Sequence, residues 1–225
     1  PVYDFISGFN DGISMVESNG RFGFVNILGK MIIPPKYDQV TEFSGGMSIF
    51  KMNGDMGFVD TNGREVLFND FNNNSENLAW ITRAAENGNV EIQNMLGYRY
   101  CFEEYGMVDR EKAARWWEKA AKNDNTDAQF RLGMCYAEGF GVEKNIQMAI
   151  KYYTLAAENN HPSACNALAY CYLGDESVPG YYDLALKWVN KAIDAQPKDP
   201  NFLDSKGEVY LRMGKLSDAL EVYKT

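Results

Sequence analysis

The sequence predicts an α+β protein of two parts, in which a small antiparallel β-repeat domain of hairpins is followed by an α–α superhelix of stacked helical hairpins. Three observations predict this. The first 68 residues repeat themselves after 34 positions, the chain beyond residue 77 repeats itself after about 36, and the apolar spacing changes between them from strand-like to helix-like. A fixed repeat length is typical of arrays whose units bury their apolar faces against one another.

The 34-residue units are predicted to be sets of short strands. Runs such as Phe22–Val25 and Met31–Ile33 are too short for helices and rich in strand-forming residues. Asn-Gly pairs between the runs supply the positive-φ residues of tight hairpin turns. Pro34–Pro35 is expected to interrupt the ladder between the units, because proline has no N–H to donate. Matching residues include Tyr3 and Tyr37, Phe9 and Phe43, Gly12 and Gly46, Ser14 and Ser48, Asn19–Gly20 and Asn53–Gly54, and Gly23–Phe24 and Gly57–Phe58.

A domain boundary is expected at residues 69–77, which are nearly all turn formers or helix caps. The predicted domains are therefore a β-repeat domain over 1–68, a linker over 69–77, helical repeats over 78–200, and a further helical unit over 201–225. An orphan helix at 78–87 precedes the 36-residue units. We expect it to pack end-on against the β domain, because it lacks a first helix of its own.

The 36-residue units are predicted to be helical hairpins, since their apolar residues follow helical spacing in two stretches of about a dozen residues. A small residue at Gly97, Gly133 or Ala169 lets two helices approach closely. One hairpin cannot bury its apolar stripe alone, so successive hairpins are expected to stack. Matching residues are Ala84–Ala85, Ala120–Ala121 and Ala156–Ala157; Trp80, Trp116, Tyr152 and Trp188; and Tyr100, Tyr136 and Tyr172.

Two repeat families resemble these units. The run from Asn19 to Asn26, with Gly29 to Asp38 after it, resembles the bacterial WG repeat, although Phe22 and Met56 replace the tryptophan that names that family. Residues 79–195 resemble the Sel-one-like repeat through the runs Asp127–Tyr136, Gly139–Val142 and Ala149–Ala157, and Asn201–Tyr223 resembles the related tetratricopeptide (TPR) repeat. The resemblance implies a superhelical adaptor in protein complexes, and no catalytic residue defines either family. Further repeats are expected beyond Thr225, and further WG units before Pro1.

Composition bears on the class of partner. The chain carries a formal charge of −9, and residues 1–75 hold five basic and nine acidic side chains, so neither part is basic. Nucleic acid and anionic membranes select for positive patches, and no apolar run is long enough to insert into a membrane. Four cysteines in mostly apolar helical patterns are expected to be buried thiols, which favours the cytoplasm. The periplasm or cell envelope is the alternative if a signal segment has been removed.

The sequence offers little for catalysis. The single histidine, His161, precedes Pro162 and is expected to cap a helix rather than act as a general base. Ser48 and Lys51 match a serine-x-x-lysine pattern, yet they lie in a predicted strand instead of the helix that this chemistry needs. The acidic pairs Glu103–Glu104 and Asp175–Glu176 lack the spacing of a calcium loop. We therefore expect no catalytic residues, no metal and no cofactor.

The function expected is a non-catalytic scaffold that binds an unidentified protein or peptide on the concave face of the helical repeats. By analogy with TPR geometry, positions three before and one after each small residue line that face, although the aromatic ones could instead belong to the core between repeats. The alternative is a glycan-binding accessory domain of a bacterial envelope system. The candidate partner-binding residues are Asn94, Tyr98, Phe130, Met134, Asn166, Tyr170, Asp204 and Glu208.

Overall fold

A computed structural model describes residues 3–71, 74–102 and 108–224 of the 225-residue chain, with the backbone alone at positions 69 and 71. The chain forms two compact units, Pro1–Val108 and Asp109–Thr225. The sequence places the boundary at 69–77 instead. The difference arises because the first two long helices pack on the β repeats.

The first unit begins with two four-stranded antiparallel sheets, one for each 34-residue repeat. This confirms the predicted β-repeat architecture. In both sheets the central hairpin turns on an Asn-Gly pair, Asn19–Gly20 or Asn53–Gly54, and all four residues have positive φ. The strands are β1 (Phe5–Asn10), β2 (Ile13–Ser18), β3 (Arg21–Asn26) and β4 (Met31–Tyr37) in the first sheet, and β5 (Gln39–Val40), β6 (Met47–Met52), β7 (Asp55–Asp60) and β8 (Glu65–Leu67) in the second.

Pro34–Pro35 interrupts a ladder as predicted, but it does so within the first sheet, between β3 and β4, rather than between the units. The ladder between β3 and β4 shifts register there, and the shift places the prolines opposite Gly23. A Cβ on Gly23 would lie 2.5 Å from the Ile33 carbonyl oxygen and 2.6 Å from the Pro35 nitrogen. Glycine is therefore required at this position for close approach of the backbone, rather than for a turn.

The two β repeats share one core. Phe24 of the first repeat contacts Phe43 of the second edge-to-face, with ring centroids 4.8 Å apart, and Tyr37 stacks on Phe50 at 4.6 Å. Tyr37 is fully buried, and its hydroxyl donates to Glu65 at 2.7 Å. Burial and this carboxylate both raise the pKa of Tyr37 far above its ordinary value. The two repeats therefore form a single folded body through one aromatic cluster.

A helical hairpin follows the second sheet and packs on it. The helices are α1 (Phe68–Phe71), α2 (Ser75–Glu86) and α3 (Val90–Cys101), so the expected linker contains α1 and the start of α2. Asn89 caps α3 by accepting from the Ile92 N–H at 3.0 Å, and its amide donates to the carbonyls of Ser44 at 2.7 Å and Met47 at 3.2 Å. One side chain thus starts a helix and joins it to a β loop.

A second group of contacts holds α2 against the β strands. Arg64 donates to the side-chain oxygen of Asn77 at 3.0 Å, and its guanidinium lies 4.6 Å from the centre of the Trp80 ring. The Trp80 indole in turn donates to Asp60 at 3.3 Å. The helix expected to be orphaned is thereby placed against the β repeats, as its missing first helix suggests.

The second unit is a series of helical hairpins in which each helix packs on the next, and the helix Pro162–Leu173 also contacts the helix Pro200–Arg212. Asn125, Asn145, His161 and Asp199 cap the N-termini of four helices with their side chains. The helices are α4 (Arg110–Lys122), α5 (Thr126–Glu138), α6 (Ile146–Glu158), α7 (Pro162–Leu173), α8 (Tyr181–Ala195), α9 (Pro200–Arg212) and α10 (Leu216–Val222).

Candidate functional site

The eight candidate residues lie on four helices. Asn94 and Tyr98 are on α3, in the first compact unit, where Tyr98 stacks on Phe102 with ring centroids 5.9 Å apart. The other six are on α5, α7 and α9 of the second unit, and we call them the first-helix set. Its members are Phe130, Met134, Asn166, Tyr170, Asp204 and Glu208.

Phe130 and Met134 form the apolar end of the set. Both are half-buried and pack against the core of the second unit. The Phe130 ring stacks on His161 at 4.6 Å and lies 5.9 Å from the Tyr153 ring. The structure thus gives both residues a place in the core between the repeats, whereas the binding surface stays a prediction. Each side chain has one side in the core and another side that remains accessible.

His161 performs the structural role expected of it. Its Nδ1 accepts from the Ala164 N–H at 3.2 Å, so it caps α7 where asparagine caps the equivalent helices α3 and α5. Its Nε2 lies 3.8 Å from a carboxylate oxygen of Asp127. Both nitrogens therefore face groups of the fold, and the expected capping role is confirmed.

Asn166 occupies the middle of the set, on α7. The residue is half-buried, and its side-chain oxygen is buried with no hydrogen-bond partner among the described residues. A buried acceptor without a donor costs about 1–3 kcal/mol.

Tyr170, Asp204 and Glu208 form the acidic end of the set. Ser205 donates to the Tyr170 hydroxyl at 3.2 Å, and burial together with the two nearby carboxylates raises the pKa of Tyr170. Asp204 accepts from the Tyr223 hydroxyl at 3.3 Å.

Glu208 is partly neutralised. It accepts from Arg212 at 2.6 Å, across one turn of α9. This end of the set is therefore partly occupied by contacts within the chain, while 40% of Tyr170 remains exposed.

Two of the other residues considered for chemistry, Ser48 and Asp175, have structural roles. Ser48 is buried in β6 and donates to the Thr41 carbonyl at 2.7 Å, as its strand position predicts. Asp175 accepts from Ser177 within a turn, whereas Glu103 and Glu104 lie outside the described residues. Within the described part of the chain, no group of three or more metal-ligating side chains comes together.

The cysteines were expected to be buried thiols, and two of the four are. Cys135 and Cys165 are buried, and Cys101 and Cys171 are half-buried. Burial raises the pKa of Cys171 to about 11 and also raises that of Cys165. Raised pKa values are typical of inert structural thiols rather than of nucleophiles.

A repeated contact at the ends of α2 and α4 was not predicted from the sequence. Gln93 donates to the Ala85 carbonyl at 2.8 Å, and Gln129 donates to the Ala121 carbonyl at 3.3 Å. The equivalent of these glutamines in the next unit is Cys165, which is 3.9 Å from the Ala157 carbonyl; Lys191 of α8 donates there instead, at 2.6 Å. The available signal was the presence of two glutamines one repeat apart, Gln93 and Gln129.

Family comparisons agree with this geometry. Residues 90–125, 126–161 and 162–197 match the Sel1 repeat, and residues 1–22 and 22–54 match the WG containing repeat. The chain combines WG repeats with Sel1 repeats. The order of the two repeat types is the one expected from the sequence. Sel1 repeats are commonly protein-interaction scaffolds.

Solved structures with the same fold include two Sel1-like proteins. A Sel1 repeat protein from Oxalobacter formigenes is 27% identical with a TM-score of 0.56, and the match covers 68% of this chain and 63% of that one. The protective antigen c5321 of uropathogenic Escherichia coli, which displays an SLR fold, is 29% identical with a TM-score of 0.58, and the match covers 67% of this chain and 32% of that one. This chain therefore spans less than two thirds of either relative. Both relatives are bacterial proteins.

A more distant match shows the fold alone. MamA is 20% identical with a TM-score of 0.50, and the match covers 69% of this chain and 91% of that one. No curated protein matches the sequence at a significant level. Among the described residues, none of the helices has the length and apolar character needed to cross a membrane.

Proposed function

We propose that the chain is a non-catalytic scaffold whose first-helix set lines a concave face and binds an extended segment of a partner protein. The observation that carries the proposal is the buried, unpartnered side-chain oxygen of Asn166, between an apolar and an acidic end. On binding, the half-buried Asn166 side chain would turn this oxygen toward a peptide N–H, and repeat scaffolds commonly capture segments in this manner.

The order of side chains along α5, α7 and α9 suggests what the partner segment contains. Phe130 and Met134 provide adaptable apolar contacts, which suit an aliphatic or aromatic anchor. Tyr170, Asp204 and Glu208 provide hydroxyl and carboxylate groups, which suit a lysine or arginine. A segment with an apolar anchor a few residues from a basic side chain fits both ends.

The glycan-binding alternative has no support from the family matches or the solved relatives. The aromatic residues that it requires on the β repeats are largely committed to the shared core, as Phe24, Tyr37, Phe43 and Phe50 show. We therefore favour a protein-binding role over a glycan-binding one.

The test is a selection of random peptides on the full 225-residue chain, followed by affinity measurements on variants. Met134→Ala is expected to weaken a selected peptide at least about tenfold, as loss of a buried apolar anchor does. Asn166→Ala is expected to weaken it several-fold without destabilising the fold, because its oxygen has no partner to lose.

Leu155→Ala is the matched control. Leu155 is 37% exposed on the second helix α6, and the substitution removes a side chain similar in size to Met134. Its affinity should equal that of the unmodified chain. A peptide that binds all three variants equally well, or that is lost only in Leu155→Ala, would contradict the proposal.

A further inference from the structure

The first β repeat carries an exposed apolar face on its outermost strand. Ile6 and Phe9 of β1 are 55% and 53% exposed. Single exposed apolar residues are ordinary, but two on one edge strand call for an explanation. The internal repeat supplies one, because the structure shows where the equivalent residues of the second repeat pack.

The residues equivalent to Ile6 and Phe9, 34 positions later, are Val40 and Phe43. Phe43 is only 4% exposed, and its ring lies edge-to-face on Phe24 of the preceding repeat. Val40 packs against the same cluster. In the second repeat, therefore, these two positions form the contact with the preceding β repeat.

We propose that Ile6 and Phe9 form the docking face for another β unit of the 34-residue type, placed in tandem on the β1 side. In that unit, the aromatic residue equivalent to Phe24 would contact Phe9. The added unit would then contact the first repeat in the same way as the first repeat contacts the second.

A second copy of this chain cannot supply that aromatic residue. The residue equivalent to Phe24 in the second repeat is Phe58, which is fully buried, with its ring 4.6 Å from that of Phe68 in α1. From the α2–α3 hairpin, Asn89 donates to the backbone carbonyl of Met47, the equivalent of Ile13. The helices therefore occupy the place where a third β unit would stack on the second.

The test compares the 225-residue chain with an extended chain in which residues 1–34 are duplicated ahead of Pro1. Hydroxyl-radical footprinting reports the exposure of each phenylalanine. Labelling of Phe9 is expected to fall roughly tenfold in the extended chain, in line with the 53% and 4% exposures of Phe9 and Phe43. Phe5 is the internal control, because its equivalent, Gln39, stays exposed in the second repeat.

Stability gives an independent readout. Phe9→Ser should lower the midpoint temperature of the extended chain on the order of 10 °C more than that of the 225-residue chain. Phe5→Ser should shift both chains equally. Equal labelling of Phe9 in the two chains would overturn the proposal. So would sedimentation of the 225-residue chain as a dimer that Phe9→Ser dissociates, because a second copy would then be the occupant.

Discussion

The close approach of the two helices within a hairpin can be tested at Gly133. A Cβ at this position would lie 2.6 Å from Cδ1 and 2.7 Å from Cε1 of Tyr153, well inside van der Waals contact. The Tyr153 ring is 5% exposed and has little room to move. In the next unit the equivalent pair is Ala169 and Val189, both buried in the core. The chain itself thus pairs glycine with an aromatic ring and alanine with a smaller side chain.

The expected cost of Gly133→Ala follows from two opposing effects. Overpacking a rigid core costs about 1–3 kcal/mol, and contact with a buried ring belongs at the upper end. Alanine is favoured over glycine within a helix by about 1 kcal/mol. The net loss in the free energy of unfolding is therefore about 2 kcal/mol.

Combination with Tyr153→Val isolates the contact. Tyr153→Val alone is expected to cost about 3 kcal/mol, because it leaves a cavity. Once the ring is removed, Gly133→Ala no longer clashes and should instead stabilise by about 1 kcal/mol. The two substitutions should therefore be coupled by about 3 kcal/mol in a double-mutant cycle.

The assay is urea unfolding of the four proteins, followed by circular dichroism. Gly174→Ala is the control, because a Cβ there would have no neighbour closer than 3.5 Å, and its stability should be unchanged within about 0.5 kcal/mol. Additive effects of Gly133→Ala and Tyr153→Val would refute the packing account, as would an unchanged stability of the single Gly133→Ala variant.

Two further predictions concern a cap and a thiol. Asn89→Ala should lower the free energy of unfolding by about 3 kcal/mol, because it removes a buried cap and two hydrogen bonds to the carbonyls of Ser44 and Met47. Asn125→Ala is the control and should lower it by only about 1 kcal/mol, because it removes a cap alone. Similar losses for the two variants in urea unfolding would argue against the docking role of Asn89. Alkylation of Cys171 at pH 8.5 should be tens of times slower than that of a free thiol, because its pKa is raised to about 11. Since folding favours the neutral thiol, the stabilisation that it gives is complete below its ordinary pKa and is lost as the pH rises through about 11. Mass spectrometry resolved by peptide measures the rate, and a rate already at its maximum by pH 9 would contradict the burial.

The repeat architecture could be predicted from sequence because each repeat position has one physical role. Asn-Gly pairs at equivalent positions give hairpin turns, and small residues such as Gly133 mark close helix packing. Both signals are local, and each recurs at a fixed spacing. Local patterns that recur in this way predict elements and their order well.

Contacts between unlike elements could not be predicted in the same way. Nothing beside Asn89 in the sequence shows that its amide reaches the Ser44 carbonyl, 45 positions earlier. At the end of α6, Cys165 stands where the other two units have glutamine, and Lys191 of α8 donates to the Ala157 carbonyl instead. This replacement could not be predicted either, because α6 and α8 meet only in the folded chain. In the candidate site, the spacing predicted which positions lie on the first helices. It did not show that Arg212 and Tyr223 already contact the acidic end.

The central claim is that the first-helix set receives a partner segment, and methyl NMR of the methionines tests it most directly. The chain has ten methionines, and Met134→Leu identifies the signal of the one within the set. Titration with a selected peptide should shift or broaden the Met134 methyl signal while that of Met47, buried in the β repeats, remains in place. A peptide that binds while the Met134 signal stays unchanged would contradict the claim.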